Sequence, residues 1–134
     1  MKDRLFDASA ILNTIKNNDS ASLGIFNKQH ALDLTLYEVS NAIWRLSYHE
    51  KKITREQSLV LLDSVLLLMQ YMQIISIRGM ERHVQELAMS EGLTVYDASY
   101  LAVAEKSSLV LVTDDRELER AAKKYVKVIK TSHL

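Results

Sequence analysis

The chain has 134 residues, 48% of them hydrophobic, and 17 basic side chains balance 17 acidic ones. That length suits one compact domain over residues 1–134, and the neutral balance gives no global attraction to a polyanion, so a nucleic-acid partner would be held by local patches. The lack of cysteine excludes disulfides, thiolate nucleophiles and Cys-ligated zinc together, leaving oxygen or imidazole as the only metal ligands.

No basic-then-apolar leader opens the sequence, and no apolar run reaches the roughly 20 residues a bilayer needs. A soluble cytoplasmic protein without membrane contact is expected. Zero prolines and three glycines predict tight, helix-rich punctuation. Residues 3–7 alternate polar and apolar, which predicts a short strand ending near Asp7, and the run from Ala8 to Ile15 predicts a helix. Asn17, Asn18, Asp19 and Ser20 break it, and a second short helix is expected from Ser20 to Phe26. Ala31 to Thr35 reads as a strand. Leu36, Val39, Ile43 and Leu46 follow at three- and four-residue spacing, the pattern of an amphipathic helix, which fades near His49.

Beyond the basic turn at Lys51 and Lys52, Thr54 opens the longest helical stretch, with Leu59, Leu62, Val65, Leu66 and Met69 on one face. The β-branched run Ile74 to Ile77 predicts a strand. Helices are expected from Gly79 to Ser90 and from Val95 to Lys106, with a turn at Gly92 between them. Leu109 to Thr113 is an apolar run between polar residues, as in a strand buried on both faces. A helix from Asp115 to Lys124 and a strand from Val126 to Ile129 complete the chain. Strands alternating with helices predict a parallel sheet covered on both sides, with the loops leaving its strand ends gathered on one edge.

Asp7, Glu38 and Asp115 each follow a predicted strand, and Asp97 opens a predicted helix, so four carboxylates are expected on that edge. Taken singly, each fits a structural role. Thr35 to Glu38 and Thr94 to Asp97 have capping-box spacing, and Asp7 or Asp114 suits a helix N-cap. Jointly they would repel, raising at least one pKa, unless cations neutralise them. Oxygen-only ligation is what Mg²⁺ or Mn²⁺ prefers, and such a site can activate water against a phosphodiester without a Cys, His or Ser nucleophile.

The same residues carry a resemblance. Phe6-Asp7-Ala8-Ser9-Ala10, Tyr37-Glu38-Val39-Ser40-Asn41-Ala42, Tyr96-Asp97-Ala98-Ser99-Tyr100-Leu101-Ala102-Val103-Ala104 and Leu111-Val112-Thr113-Asp114-Asp115-Arg116-Glu117-Leu118 resemble, in order and separation, the four motifs of PIN-domain ribonucleases, in particular VapC toxins. The resemblance implies a three-layer α/β/α PIN-like domain with a central parallel sheet of about five strands. It also implies a Mg²⁺- or Mn²⁺-dependent endoribonuclease acting on RNA and restrained by a cognate antitoxin. By this resemblance Asp7 and Asp97 are metal ligands, with Glu38 and Asp115 completing the site, while Asp114 is a cap or a supporting group.

Ser9 and Thr113 lie beside these acids and are candidates to orient a metal water or a phosphate oxygen, or else to bond the backbone in a turn. Asn41, one turn after Glu38, can point the same way, and Arg116 is a candidate phosphate contact. His30, His49, His83 and His133 share no spacing with the acids, and Arg45, Lys51, Lys52 and Arg55 read as a solvated turn. The Leu-rich face from Leu59 to Met72 reads as core, or as the seat of a twin subunit in a homodimer or of a partner helix. Two alternatives remain: a receiver-like Mg²⁺-binding signalling domain using Thr113 and Lys130, and a catalytically inactive PIN interaction module.

Overall fold

In a computed structural model describing residues 2–134, five strands form one parallel sheet. They are β1 (Arg4–Phe6), β2 (His30–Leu32), β3 (Gln73–Ile75), β4 (Val110–Val112) and β5 (Val128–Ile129), arranged in the order β3-β2-β1-β4-β5. Strand order reverses direction at β1, which pairs with β2 on one side and β4 on the other. Such a switch point opens a crevice outside the carboxyl ends of the strands.

Alternation within each strand builds two cores. Phe6, Ala31 and Val112 face one layer, made of α1 (Ala8–Asn17), α2 (Ser22–Phe26), α3 (Asp33–Trp44) and α4 (Arg55–Met69). Leu5, Leu32 and Leu111 face the other, made of α5 (Glu81–Glu91), α6 (Val95–Lys106) and α7 (Arg116–Ala122). Successive side chains of a strand point to opposite faces, so each short strand serves both layers. Phe6 meets Phe26 edge to face at 5.0 Å, a geometry contributing about 0.5–1.5 kcal/mol beyond burial. On the opposite face α6 is buried continuously from Ala98 to Ala104; three alanines in that run let it pack closely between the sheet and α5. Its N-terminus, and Asp97 with it, is left at the rim.

Several element boundaries differ from those expected. The second strand ends at Leu32, and Asp33, Leu34 and Thr35 are helical. The cause is local: the Thr35 hydroxyl accepts the Leu32 N–H at 3.0 Å, starting α3 early. Glu38 is consequently in the second turn of α3, and no Thr35–Glu38 capping box forms. The third strand covers Gln73–Ile75 rather than Ile74 to Ile77, and α5 begins at Glu81 rather than Gly79. Thr54 caps α4 as expected, exchanging bonds with Gln57 at 3.0 and 2.8 Å. Gly92 ends α5 with φ +68°, a conformation L side chains rarely adopt. Among the described residues no helix is long and apolar enough to cross a membrane.

Candidate functional site

β1 delivers Asp7 to the rim, where its carboxylate caps α1. Oδ1 accepts from the Ala10 N–H and from the Ser9 hydroxyl, both at 2.8 Å, and Oδ2 accepts from the Thr113 hydroxyl. Asp7 is buried. Burial pushes its carboxyl up to about 6, against the pull of the hydrogen bonds from Thr113, Ala10 and Ser9, with the charge of Glu38 adding to the rise. Ser9 and Thr113 therefore hold Asp7 itself.

β4 delivers the opposite side. Fully buried Thr113 donates to Asp7 and accepts the Asp115 N–H at 3.0 Å, so one hydroxyl ties two rim acids together. Asp115 is exposed and caps α7, its Oδ1 accepting the Leu118 N–H at 2.9 Å. Asp114 turns away. Its carboxylate takes the Asn13 side-chain amide at 2.7 Å and the Thr131 hydroxyl and N–H at 2.6 and 3.0 Å. Burial opposes its charge, but those bonds prevail and hold its carboxyl below the usual range.

Asp97 lies in the first turn of α6, capped by Thr94, whose hydroxyl accepts the Asp97 N–H at 3.1 Å. No reciprocal bond from the Thr94 N–H to the Asp97 carboxylate appears among the described residues. Partial burial, then the charges of Asp115, Glu38, Asp7 and Glu117, push the Asp97 carboxyl up to about 6. Asp115, Glu38 and Asp7 each add to that rise. Glu38 is half-buried and accepts the Tyr100 hydroxyl at 2.7 Å. Burial and that neighbouring charge push the phenol far above its ordinary range, so Tyr100 stays a donor.

Among the described residues, none of the four acids forms an ion pair with Lys, Arg or His. Nor do any three His, Asp or Glu side chains form a group set to hold a metal ion. Asp7, Glu38 and Asp115 are instead each tied to a hydrogen-bond donor, from Ala10, Tyr100 and Leu118 respectively. The donor set nevertheless fits a hard divalent cation, being all oxygen, mutually repelling and without a cationic side chain to neutralise it.

Asn41 and Arg116 are exposed, on α3 and at the start of α7, and neither bonds a rim acid among the described residues. His30 is buried with Nδ1 3.3 Å from the Arg4 carbonyl, and exposed His83 pairs with Glu105 at 2.8 Å. Arg45, Lys51, Lys52 and Arg55 are exposed, and Lys52 pairs with Glu50 at 2.9 Å. The sequence pairs Thr35 with Glu38 only as a cap, and Tyr100, which bonds both side chains, was missed. A signal existed for Tyr100: it lies three residues after Asp97 on one helix face, and a buried tyrosine hydroxyl needs a polar partner.

Residues 4–124 match the PIN domain family. The chain belongs to the PIN-domain family. Two relatives from Pyrobaculum aerophilum are similar to this PIN domain. One, Ribonuclease VapC3, is 33% identical over 91 residues, covering 66% of this chain and 67% of its own length. The other, Exonuclease VapC9, is 38% identical over 87 residues, covering 65% and 62%. Among solved structures, PAE2754 from Pyrobaculum aerophilum is 32% identical with TM-score 0.79, over 98% of this chain and 91% of that one. A toxin–antitoxin complex from Klebsiella pneumoniae shares the fold at 18% identity and TM-score 0.60, over 96% and 97%. Family membership removes the receiver-like alternative, and Lys130, which that alternative requires at the site, reaches Glu119 at 3.9 Å instead.

Proposed function

We propose that this PIN domain is a divalent-metal-dependent ribonuclease, the toxin of a toxin–antitoxin pair. The observation carrying the reading is the hydrogen-bonded arrangement in which the Thr113 hydroxyl joins Asp7 to the Asp115 N–H and Tyr100, one turn beyond Asp97 on α6, donates to Glu38, with no ion pair to any of the four acids among the described residues. Asp7 and Asp97 would hold Mg²⁺ or Mn²⁺, with Glu38 and Asp115 completing the shell directly or through water. A bound ion of this kind lowers the pKa of water and offsets charge developing on a phosphodiester.

The protein's own groups have separable tasks. Thr113 and Ser9 orient Asp7 and favour its ionised form against its burial. Asp115 and Asp97 sit at the starts of α7 and α6, where helix dipoles favour negative charge. Arg116, exposed beside Asp115, would contact a substrate phosphate. Asn41 would reach the substrate from α3. Asp114 supports the loop rather than the ion, locked by Asn13 and Thr131.

The reading is tested with purified protein on single-stranded RNA. Cleavage is expected with Mg²⁺ or Mn²⁺, is stopped by a chelator, and is lost in Asp7→Asn and Asp97→Asn. Undiminished metal-dependent cleavage by either variant would overturn it, and inactivity of the native protein on every RNA and metal tried would favour the inactive-module alternative. One relative is named a ribonuclease and the other an exonuclease. Endonucleolytic action predicts that a covalently closed RNA circle is linearised; an untouched circle beside degraded linear RNA would establish the exonuclease mode instead.

The antitoxin is expected to place a segment in the acidic crevice. A mostly apolar groove of about 620 Å³ beside Ser9, lined also by Leu12, Asn13, Ala42, Arg45 and Leu46, supports a seat for the rest of it. Leu59, Val60 and Leu67 on α4 are more than half exposed, which supports a homodimer covering that face. Light scattering should give twice the 15.3 kDa chain mass; a monomer at working concentration would remove this part of the reading.

A further inference from the structure

Tyr100 belongs to the interior rather than to the acids, yet its hydroxyl connects the two. It is 1% exposed and lies on α6 one turn beyond Asp97. Its OH donates to Glu38 Oε1 at 2.7 Å and stands 2.7 Å from Thr35 Oγ1. Thr35 Oγ1 in turn accepts the Leu32 N–H at 3.0 Å. A phenol has one proton and a carboxylate can only accept, so that proton goes to Glu38 and Thr35 donates to Tyr100. Every hydrogen in the chain then points the same way, from Leu32 through Thr35 and Tyr100 to Glu38, and each bond polarises the next.

Thr35 fills the acceptor side of the Tyr100 hydroxyl, which leaves the phenol's single proton for an acceptor beyond Thr35. The second bond, to a half-buried glutamate on a different helix, is an added constraint on Glu38. Resting on the proposed role of Glu38, we infer that Tyr100 is a positioning residue. Anchored by Thr35, it fixes the Glu38 side chain through Oε1 and leaves Oε2 for the divalent cation. Asp7 is held by Thr113 and Ser9, and Asp115 by the Leu118 N–H. Glu38 has a longer side chain and begins on the second turn of its helix, so it gains most from a remote hydrogen bond that reduces its rotamer freedom.

Tyr100→Phe deletes one oxygen and keeps the ring. Native protein, Tyr100→Phe, Thr35→Ala and Glu38→Ala are compared in single-stranded RNA cleavage over a range of Mn²⁺ concentrations. Mn²⁺ binding without RNA is followed in parallel by electron paramagnetic resonance, and folding by thermal melting. Tyr100→Phe is expected to lower kcat and Mn²⁺ affinity, each by about 10–100-fold, with KM for RNA unchanged. Thr35→Ala should shift both quantities in the same direction, and the double variant should be no worse than Tyr100→Phe alone, because both break one chain.

Native kcat and Mn²⁺ affinity in Tyr100→Phe, beside an inactive Glu38→Ala, would overturn the inference and leave the functional reading standing. So would a change confined to melting temperature or to KM. A fully active Glu38→Ala would overturn the role of Glu38 and the inference with it. If Tyr100→Phe does not fold, Thr35→Ala carries the same decision, and native values in it overturn the inference.

Discussion

Burial and then the charges of the other three acids act on Asp97, whose carboxylate accepts no hydrogen bond among the described residues that would offset them. Its carboxyl, pushed from 3.8 to about 6, binds a proton more tightly in the folded chain than in the unfolded one. Its contribution to stability is therefore complete below about pH 4 and lost as pH rises through about 6. Asp97→Asn should stabilise the metal-free protein at about pH 7.5 by roughly 1 kcal/mol, a figure reduced for solvent screening because the group is only partly buried. The gain should vanish near about pH 4. Melting curves in chelator at both pH values check this, and a variant less stable than native protein at the higher pH would contradict the burial and repulsion that raise the Asp97 pKa. Asp7 is a poorer test of the same effect. Its burial is opposed by three donors, and an Asn amide there would face the Thr113 hydroxyl badly.

At the level of helices, two rim acids double as caps. Asp115 accepts the Leu118 N–H and is proposed to serve the ion. Asn caps nearly as well as Asp, whereas Ala does not, so Asp115→Asn should melt near the native temperature and Asp115→Ala should lose about 1 kcal/mol. RNA cleavage should fall in both; native cleavage by Asp115→Asn would confine Asp115 to a structural role. The cap signals are also what made the helices legible. Thr54 at the start of α4, Thr94 before Asp97, and Gly92 after α5 all stand where the sequence put them. Glu38 was less legible. Thr35 has capping spacing to it, but the hydroxyl closed on Leu32 and on Tyr100 instead, and a contact spanning 65 residues leaves no local pattern. The same holds for Asp114, whose partners Asn13 and Thr131 come from α1 and the C-terminal segment.

For the molecule as a whole, alternating strand and helix patterns conveyed a parallel sheet between two helical layers. The order β3-β2-β1-β4-β5 was not written in any one segment. It follows from which apolar faces can be covered together: Phe6 and Val112 share one core, Leu5 and Leu111 the other, locking β1 against β4. That pairing sets Asp7 beside Thr113 and makes the crevice. The exposed leucines of α4 could not be assigned from sequence, because periodicity marks an apolar face without saying what covers it.

The proposal depends on carboxylates far apart in sequence sharing one divalent ion. Anomalous diffraction from crystals soaked in Mn²⁺ tests this most directly. A peak contacted by both Asp7 and Asp97, with Glu38 or Asp115 in direct or water-mediated reach, is the expected result. Ordered Mn²⁺ elsewhere on the protein, with none between Asp7 and Asp97 at saturating concentration, would contradict it.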